Sequence, residues 1–179
     1  MPHSGCCGAM GADLYVDSVA QVSHAGGVSA ITASSSASVL YGFNNASSGY
    51  DLARIGVGPQ GLSTEVSLTG VVTLPGAMAY SGGRLYFTSG QIVDAATLTR
   101  VAGFSFSDDV MYPDALHGRV FFQVSHTIQV RHYTGFDVMG SLFMNGAPTG
   151  RVLVRWGPDG LVLAGGSELS ILRSPMIGP

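Results

Sequence analysis

The chain has 179 residues, of which 46% are hydrophobic and 11% are charged, and its formal net charge is −3. This composition excludes an intrinsically disordered chain, and the length suffices for one domain with a real core or for a small repeat array. The eight cationic residues are all arginines and are scattered singly, which argues against nucleic-acid binding. The longest apolar stretch, residues 70–80, is too short to span a bilayer. The first ten residues show no secretory signal.

Residues 1–12 are rich in small and turn-forming side chains and are predicted to be irregular. The adjacent Cys6 and Cys7 cannot staple distant loops, so no disulfide framework supports the fold. We interpret them as a free or oxidation-prone pair, and half of a metal site with His3 is the alternative. The run Leu14–Val22 is predicted to be a β-strand.

From residue 28 onward, short apolar runs alternate with turn residues, which predicts strands and no stable helix. The predicted strands are, in chain order, Val28–Ala33, Val39–Phe43, Tyr50–Val57, Leu62–Leu68, Gly76–Tyr80, Leu85–Phe87, Gln91–Asp94, Arg100–Phe106, Tyr112–Leu116, Val120–Val124, Thr127–Tyr133, Phe136–Phe143, Arg151–Trp156, Leu161–Ala164 and Glu168–Arg173.

One phrase recurs along these strands: a turn residue followed by an apolar run. It reads Gly-Arg-Leu-Tyr-Phe from Gly83, Gly-Arg-Val-Phe-Phe from Gly118 and Gly-Leu-Val-Leu from Gly160. A spacing of roughly 40 residues is typical of four-stranded propeller blades. We therefore predict an all-β, β-propeller-like array of about four four-stranded antiparallel blades over residues 13–173, followed by a tail at 174–179.

The last predicted unit has three strands, and Leu14–Val22 is the natural candidate to supply its fourth strand. Because each sheet must cover the next, an array of four blades leaves apolar faces unless it closes. The chain is predicted to be a closed four-bladed ring, half of a larger ring shared by two chains, or a piece of a longer propeller.

The second unit, Gly-Arg-Leu-Tyr-Phe followed by residues 91–98 (Gln-Ile-Val-Asp-Ala-Ala-Thr-Leu), resembles blades of YncE-like and PQQ-like bacterial β-propellers. The likeness covers roughly residues 28–173. It implies binding or scaffolding outside the cytoplasm, in the extracellular space or the periplasm. Those propellers generally have about seven blades, and this chain lacks the tryptophan-docking repeat of PQQ enzymes, so no quinone cofactor and no catalytic residue is carried over.

Four residues are the candidates for acid–base chemistry. Asp109 and Asp114 lie close in sequence to His117, and carboxylates beside a histidine can transfer protons or bind a cation. His117 precedes one strand and His132 ends the next, so these two histidines are expected at the same end of one blade. No spacing of a metal or cofactor site is present, and a solvated loop is the alternative reading.

Four further residues are candidates for ligand binding. Arg84 and Arg119 recur just before strands, where a guanidinium can recognise a carboxylate or pair with an aspartate of the next blade. Tyr112 and Tyr133 lie near blade ends, where an aromatic ring can stack on a sugar or peptide or simply pack in the core.

These observations predict a non-catalytic binding or assembly module that self-associates or joins another propeller segment. Its ligand would be a small molecule, a sugar or a peptide. The alternative is a small propeller enzyme, a lyase or a hydrolase, with a channel site near His117 and His132.

Overall fold

The computed structural model describes residues 2–4, 10–46, 48–104, 110–145 and 150–178. These residues form strands and turns and no helix, so the predicted all-β class is confirmed. The strands are β1 (Pro2–Ser4), β2 (Met10–Ala12), β3 (Tyr15–Val16), β4 (Val19–Ala20), β5 (Ala25–Gly26), β6 (Ala30–Ala33), β7 (Val39–Phe43), β8 (Leu52–Gly58), β9 (Gly61–Leu68), β10 (Met78–Ser81), β11 (Arg84–Phe87), β12 (Gln91–Asp94), β13 (Thr99–Gly103), β14 (Val110–Asp114), β15 (Arg119–Val124), β16 (Thr127–His132), β17 (Val138–Phe143), β18 (Val152–Trp156), β19 (Gly160–Gly165) and β20 (Glu168–Arg173).

The described strands form six small sheets in which neighbouring strands follow each other in sequence, apart from β1-β2-β5. Three sheets have four strands: the first sheet β6-β7-β8-β9, the second sheet β10-β11-β12-β13 and the third sheet β14-β15-β16-β17. The last sheet, β18-β19-β20, has three strands, and β3-β4 is a two-stranded hairpin. This grouping of strands over residues 28–173 is the predicted one: three four-stranded units are followed by a last unit without its outer strand.

The predicted closing strand, Leu14–Val22, does not pair with β20. It folds back on itself as the hairpin β3-β4, in which Tyr15 is opposite Ala20 and Val16 is opposite Val19. Asp17 and Ser18 both have positive φ angles, 50° and 68°, which is the geometry of the tight two-residue turns that close hairpins. This local turn chemistry competes with pairing to a distant strand. The irregular structure predicted for residues 1–12 is also corrected, since β1 and β2 lie within them and pair with each other.

The chain divides into two compact units, Met1–Leu85 with Ile92–Val101, and Tyr86–Gln91 with Ala102–Pro179. The single repeat domain predicted over residues 13–173 stays a prediction. None of the described residues belongs to a helix that is long and apolar enough to cross a membrane.

In the unit that begins the chain, residues 11–28 cover one face of the first sheet. Ala12, Ala25 and Val28 are buried against Ala53 and Ile55 of β8. Further cover comes from a close backbone approach, since the Leu62 N–H donates to the Ser23 carbonyl at 2.9 Å. Gly61 has a φ of 122°, and a Cβ there would overlap that Ser23 carbonyl, so glycine is required at this position.

The opposite face of the first sheet is covered by residues of the second sheet. The Tyr41 ring stacks on Tyr80 with ring centroids 5.8 Å apart, and the Tyr41 hydroxyl donates to the Ala95 carbonyl at 3.0 Å. Burial raises the pKa of Tyr41, and the neighbouring Tyr80 raises it further. The first sheet is thus covered on both faces within its own unit.

In the other unit, the core lies between the third sheet and the last sheet. Phe121, Ile128 and Val130 of the third sheet are buried against Leu161 and Leu163 of the last sheet. Ile177, in the predicted C-terminal tail, is also fully buried in this core. Gln123 is buried beside it and accepts a hydrogen bond from the Gly150 N–H at 2.8 Å, which ties the entry of β18 to the third sheet.

Candidate functional site

Asp114, Arg119 and His132 lie side by side at one end of the third sheet. Asp114 on β14 is opposite Arg119 on β15, and Arg119 is opposite His132 on β16. Directly opposite residues of an antiparallel sheet share a face, so these three side chains point the same way. His117 lies in the turn between β14 and β15 and contacts Asp114. The fold therefore brings together four of the residues named from the sequence, at the blade end expected for His117 and His132.

The Asp114 carboxylate is buried, with 4% of the side chain exposed, and it organises the turn that follows β14. The His117 backbone N–H donates to Asp114 Oδ1 at 3.2 Å, and His117 Nδ1 lies 3.0 Å from the same oxygen. An aspartate that accepts from the backbone two or three residues later is a common turn-stabilising arrangement. The sequence Asp-Ala-Leu-His therefore positions the histidine through local chemistry alone.

Arg155 is the functional residue that the sequence analysis missed. Its Nε donates to Asp114 Oδ2 at 2.5 Å, and its two terminal nitrogens donate to the carbonyls of Pro158 at 2.9 Å and Ile177 at 2.8 Å. The alternation along β18 could have revealed it, because Leu153 and Arg155 fall on the same, buried face of the strand. An arginine on such an apolar face requires a charged partner. The guanidinium thus joins β14, the 157–159 turn and the C-terminal segment.

The electrostatics of this cluster favour a charged Asp114 at neutral pH. Burial raises the pKa of Asp114, but hydrogen bonds from His117 and Arg155, together with the charge of Arg155, lower it more, so the pKa lies below its ordinary value of 3.8. Burial raises the pKa of the nearby Tyr112, and the negative charge of Asp114 raises it further. Asp114 and Arg155 therefore form a buried ion pair whose charges are matched at neutral pH.

The arrangement can do two things chemically. A carboxylate that contacts histidine Nδ1 orients the imidazole as a general base, as in hydrolase triads. However, Asp114 also accepts from Arg155, whose remaining donors hold backbone carbonyls, which is the bonding of a structural clamp. Among the described residues no group of three His, Cys, Asp or Glu side chains is placed to hold a metal ion.

Of the candidates for ligand binding, Tyr112 and Arg119 share the face of Asp114, whereas Tyr133 packs on another aromatic ring. Tyr112 is on the Asp114 face, where its ring stacks on Phe121 with centroids 6.5 Å apart. The Nε and Nη1 atoms of Arg119 are buried without a hydrogen-bond partner among the described residues. Tyr133 packs on Tyr86 at 5.5 Å.

Arg84, the remaining candidate for ligand binding, begins β11 in the second sheet. Asp109 and the Cys6-Cys7 pair are outside the described residues.

A second feature of the same unit is the apolar outer face of the last sheet. On β18, Val154 is opposite Val162 of β19, which is opposite Ile171 of β20, so all three point to one side. We call this side the open face, and its apolar members are Val152, Val154, Trp156, Val162, Ala164, Leu169 and Ile171. Leu169 is 65% exposed, and Ile171 is 51% exposed.

The open face is unlike the faces of the other central strands. Leu85, Tyr86 and Phe87 of β11 are all fully buried, as are the three corresponding residues 120–122 of β15, so each of those strands is covered on both sides. On β19 the alternate residues Leu161 and Leu163 are fully buried, whereas Val162 and Ala164 are half-buried. The apolar run after the turn residue is repeated in all three units. In the last unit, however, every second residue of that run faces outward.

The comparisons with known proteins bear on the fold. No family model matches the chain, and no curated protein matches it. The chain is similar in structure to hydrazine synthase of Kuenenia stuttgartiensis, with a TM-score of 0.64 at 13% sequence identity over 82% of this chain and 46% of that chain. It is also similar to KlHsv2 with loop 6CD replaced by a Gly-Ser linker, with a TM-score of 0.50 at 10% identity over 82% of this chain and 48% of that chain.

The chain therefore spans about half the length of these solved structures. At such low identity the likeness concerns the fold alone. Together with the succession of small antiparallel sheets, it fits a β-propeller-like fold.

Proposed function

We propose that this chain is a non-catalytic binding or assembly module built on propeller blades, and that it self-associates. The observation that carries the proposal is the open face of the last sheet. Monomeric proteins rarely expose a large contiguous apolar patch, and such patches usually mark interaction surfaces. Here Val152, Val154 and Trp156 are between 42% and 51% exposed on one strand, and Leu169 and Ile171 continue the patch two strands away.

The proposal includes the finer architecture that the repeats predict. The three four-stranded sheets and the last sheet are blades like those of YncE-like and PQQ-like propellers, in an array that leaves one face of the last blade for a partner to cover. Blades stack because a small sheet cannot bury both faces alone. The last sheet has one face in the core and one outside, so it is the sheet that another blade would cover.

The bonding of Asp114 supports the non-catalytic part of the proposal. Its carboxylate accepts from Arg155 and from the His117 backbone N–H, and both contacts hold the chain in place. If Asp114 served only to orient His117 for catalysis, the hydrogen bond from Arg155 would have no function. We therefore interpret the cluster of Asp114, His117 and Arg155 as a structural clamp that holds the third sheet against the last sheet.

Self-association is testable by the mass of the protein in solution. The chain mass is 18.4 kDa, and light scattering after gel filtration at micromolar concentration is expected to give a multiple of this value. Val154→Glu places a charge on the open face, next to its central residue Val162, and is expected to give the monomer mass. Val138→Glu is the matched control, because Val138 is 53% exposed on β17 of the third sheet, and it should keep the mass of the parent. A monomeric parent chain would contradict the proposal.

A second candidate function is a small propeller enzyme, a hydrolase or a lyase. The observation that favours it is the 3.0 Å contact between His117 Nδ1 and Asp114 Oδ1, because a general base is oriented in this way. The primary proposal expects no hydrolysis of p-nitrophenyl acetate above the buffer rate. Hydrolysis that disappears in both His117→Ala and His132→Ala, while the circular dichroism spectrum is unchanged, would replace the assembly module by the enzyme.

A further inference from the structure

We infer that the open face docks on the same open face of a second copy of this chain, so that the two copies are related by a two-fold axis. This inference rests on the proposed self-association and specifies its geometry. Two-fold dimers in which each copy contributes the same patch are the commonest oligomers. Three observations on the described residues select this geometry over a head-to-tail contact.

The first observation is the chemistry of the open face. In a two-fold contact a patch meets itself, so a charge near its centre would meet a like charge. The register places Val162 at the centre, between Val154 and Ile171. Arg173 is the one charged side chain that the strand register places on this face, and it lies at the end of β20 opposite Gly160.

The second observation concerns that arginine, because an unpaired guanidinium would repel its counterpart. Arg173 lies over the Trp156 ring at 4.8 Å, and its Nη1 is 3.6 Å from Asp159 Oδ1. The arginine is therefore held along the rim of the face against its own chain. The Trp156 ring beneath it adds a large apolar surface to the patch.

The third observation is that the sheet at the other end of the repeats offers no complementary face. A head-to-tail contact needs a second uncovered blade face. Both faces of the first sheet are covered within its own unit, one by Val28 and its neighbours and the other by Tyr80. The hairpin β3-β4 exposes Val16 and Val19, but its strands are two residues long and do not present a blade-sized surface.

Face-to-face packing of two sheets places them about 10 Å apart with their strands aligned to within about 30°. Val162 of one copy then lies within about that distance of Val162 of the other. The indole of Trp156, which is 43% exposed in the single chain, becomes covered. Trp156 is the sole tryptophan of the sequence, so tryptophan emission comes from the open face alone.

The geometry is tested by cross-linking through one introduced cysteine. In a Cys6→Ser, Cys7→Ser background, Val162→Cys treated with a bismaleimide of about 10 Å reach is expected to give a covalent dimer and no larger species. Val138→Cys is the matched control, since Val138 is more exposed on β17 yet outside the open face, and it should remain uncross-linked. Dilution of the cysteine-free parent is expected to shift Trp156 emission to longer wavelength.

The outcomes separate this inference from the proposed function. If the parent chain is a monomer by light scattering, the self-association itself is wrong. If the parent is a dimer but Val162→Cys does not cross-link and dilution leaves the emission unchanged, self-association stands and the face-to-face geometry is wrong. A cross-link between Val162→Cys and Val19→Cys in mixed chains would establish a head-to-tail contact with the hairpin and would also overturn the inference.

Discussion

Replacing Asp114 with alanine is expected to lower the free energy of unfolding by about 3–5 kcal/mol, the typical cost of removing one partner of a buried ion pair. The side chains of Asp114 and Arg155 are 4% and 12% exposed, so the guanidinium would be left without its counter-charge in a largely buried position. The turn after β14 would also lose the acceptor of the His117 N–H. The measurement is the urea midpoint and slope at one protein concentration and neutral pH.

The matched control is Asp159→Ala, which removes an exposed aspartate 3.6 Å from Arg173. Both side chains of that pair are more than 40% exposed, and surface pairs of this kind contribute about 0–1 kcal/mol. Equal small losses in the two variants would show that the Asp114 cluster does not hold the third and last sheets together.

The pH dependence of the parent follows from the lowered pKa of Asp114. A carboxyl whose pKa is lower in the folded state contributes stability that is fully present above its unfolded value, here near 3.8, and is lost as the pH falls through the lower folded value. The difference in stability between the parent and Asp114→Ala is therefore expected to shrink below pH 3.8. A difference that stays constant to lower pH would assign the cost of the substitution to packing.

Replacing Phe121 with alanine is expected to cost about 3–5 kcal/mol, because it opens a cavity between two sheets. Phe121 is fully buried, its ring stacks on Tyr112, and it packs with Leu161 and Leu163 of the last sheet. The guanidinium of Arg155 lies 6.0 Å from the ring centroid, so the ring also lines the ion pair. The substitution therefore removes one of the side chains that pack the third sheet against the last sheet.

Phe143→Ala is the matched control, since Phe143 ends β17 of the same sheet and is 75% exposed. Exposed substitutions away from special features usually change stability by less than about 0.5 kcal/mol. Chemical denaturation of both variants measures the difference. If Phe121→Ala is as stable as Phe143→Ala, the third and last sheets do not share the core described here.

Much of the fold could be predicted from the sequence because strand and turn signals are local. Residues 39–43, 91–94 and 168–173 were predicted as strands with the bounds that the structure has, since turn residues delimit each apolar run. β14 was predicted two residues late, as Tyr112–Leu116, where the structure has Val110–Asp114. Its last residue is an aspartate whose carboxylate starts the turn, and this contact is invisible to hydrophobic periodicity.

The site was less predictable because its partners are distant in sequence. Asp114 and His117 are three residues apart and were named together, whereas Arg155 is supplied by another sheet. An apolar face on an unclosed array was expected, but the sheet that carries it was not identified, because an apolar strand looks the same whether a neighbouring sheet covers it or not. The prediction that Leu14–Val22 closes the last unit was wrong because a local interaction prevailed over a distant one. The tight turn at Asp17 and Ser18 makes this run a hairpin that pairs with itself.

The amino-acid sequence by itself determined that this protein is built of short antiparallel strands in repeated units, because alternation and turn chemistry act over a few residues. Only the tertiary structure decided which faces are covered and which charges meet. Burial and charge pairing depend on contacts between sheets. The free energy of these contacts comes from residues that are far apart in the sequence, so no local pattern connects them. The same physical difference explains why the Asp114–Arg155 clamp and the open face emerged only when the sheets were placed together.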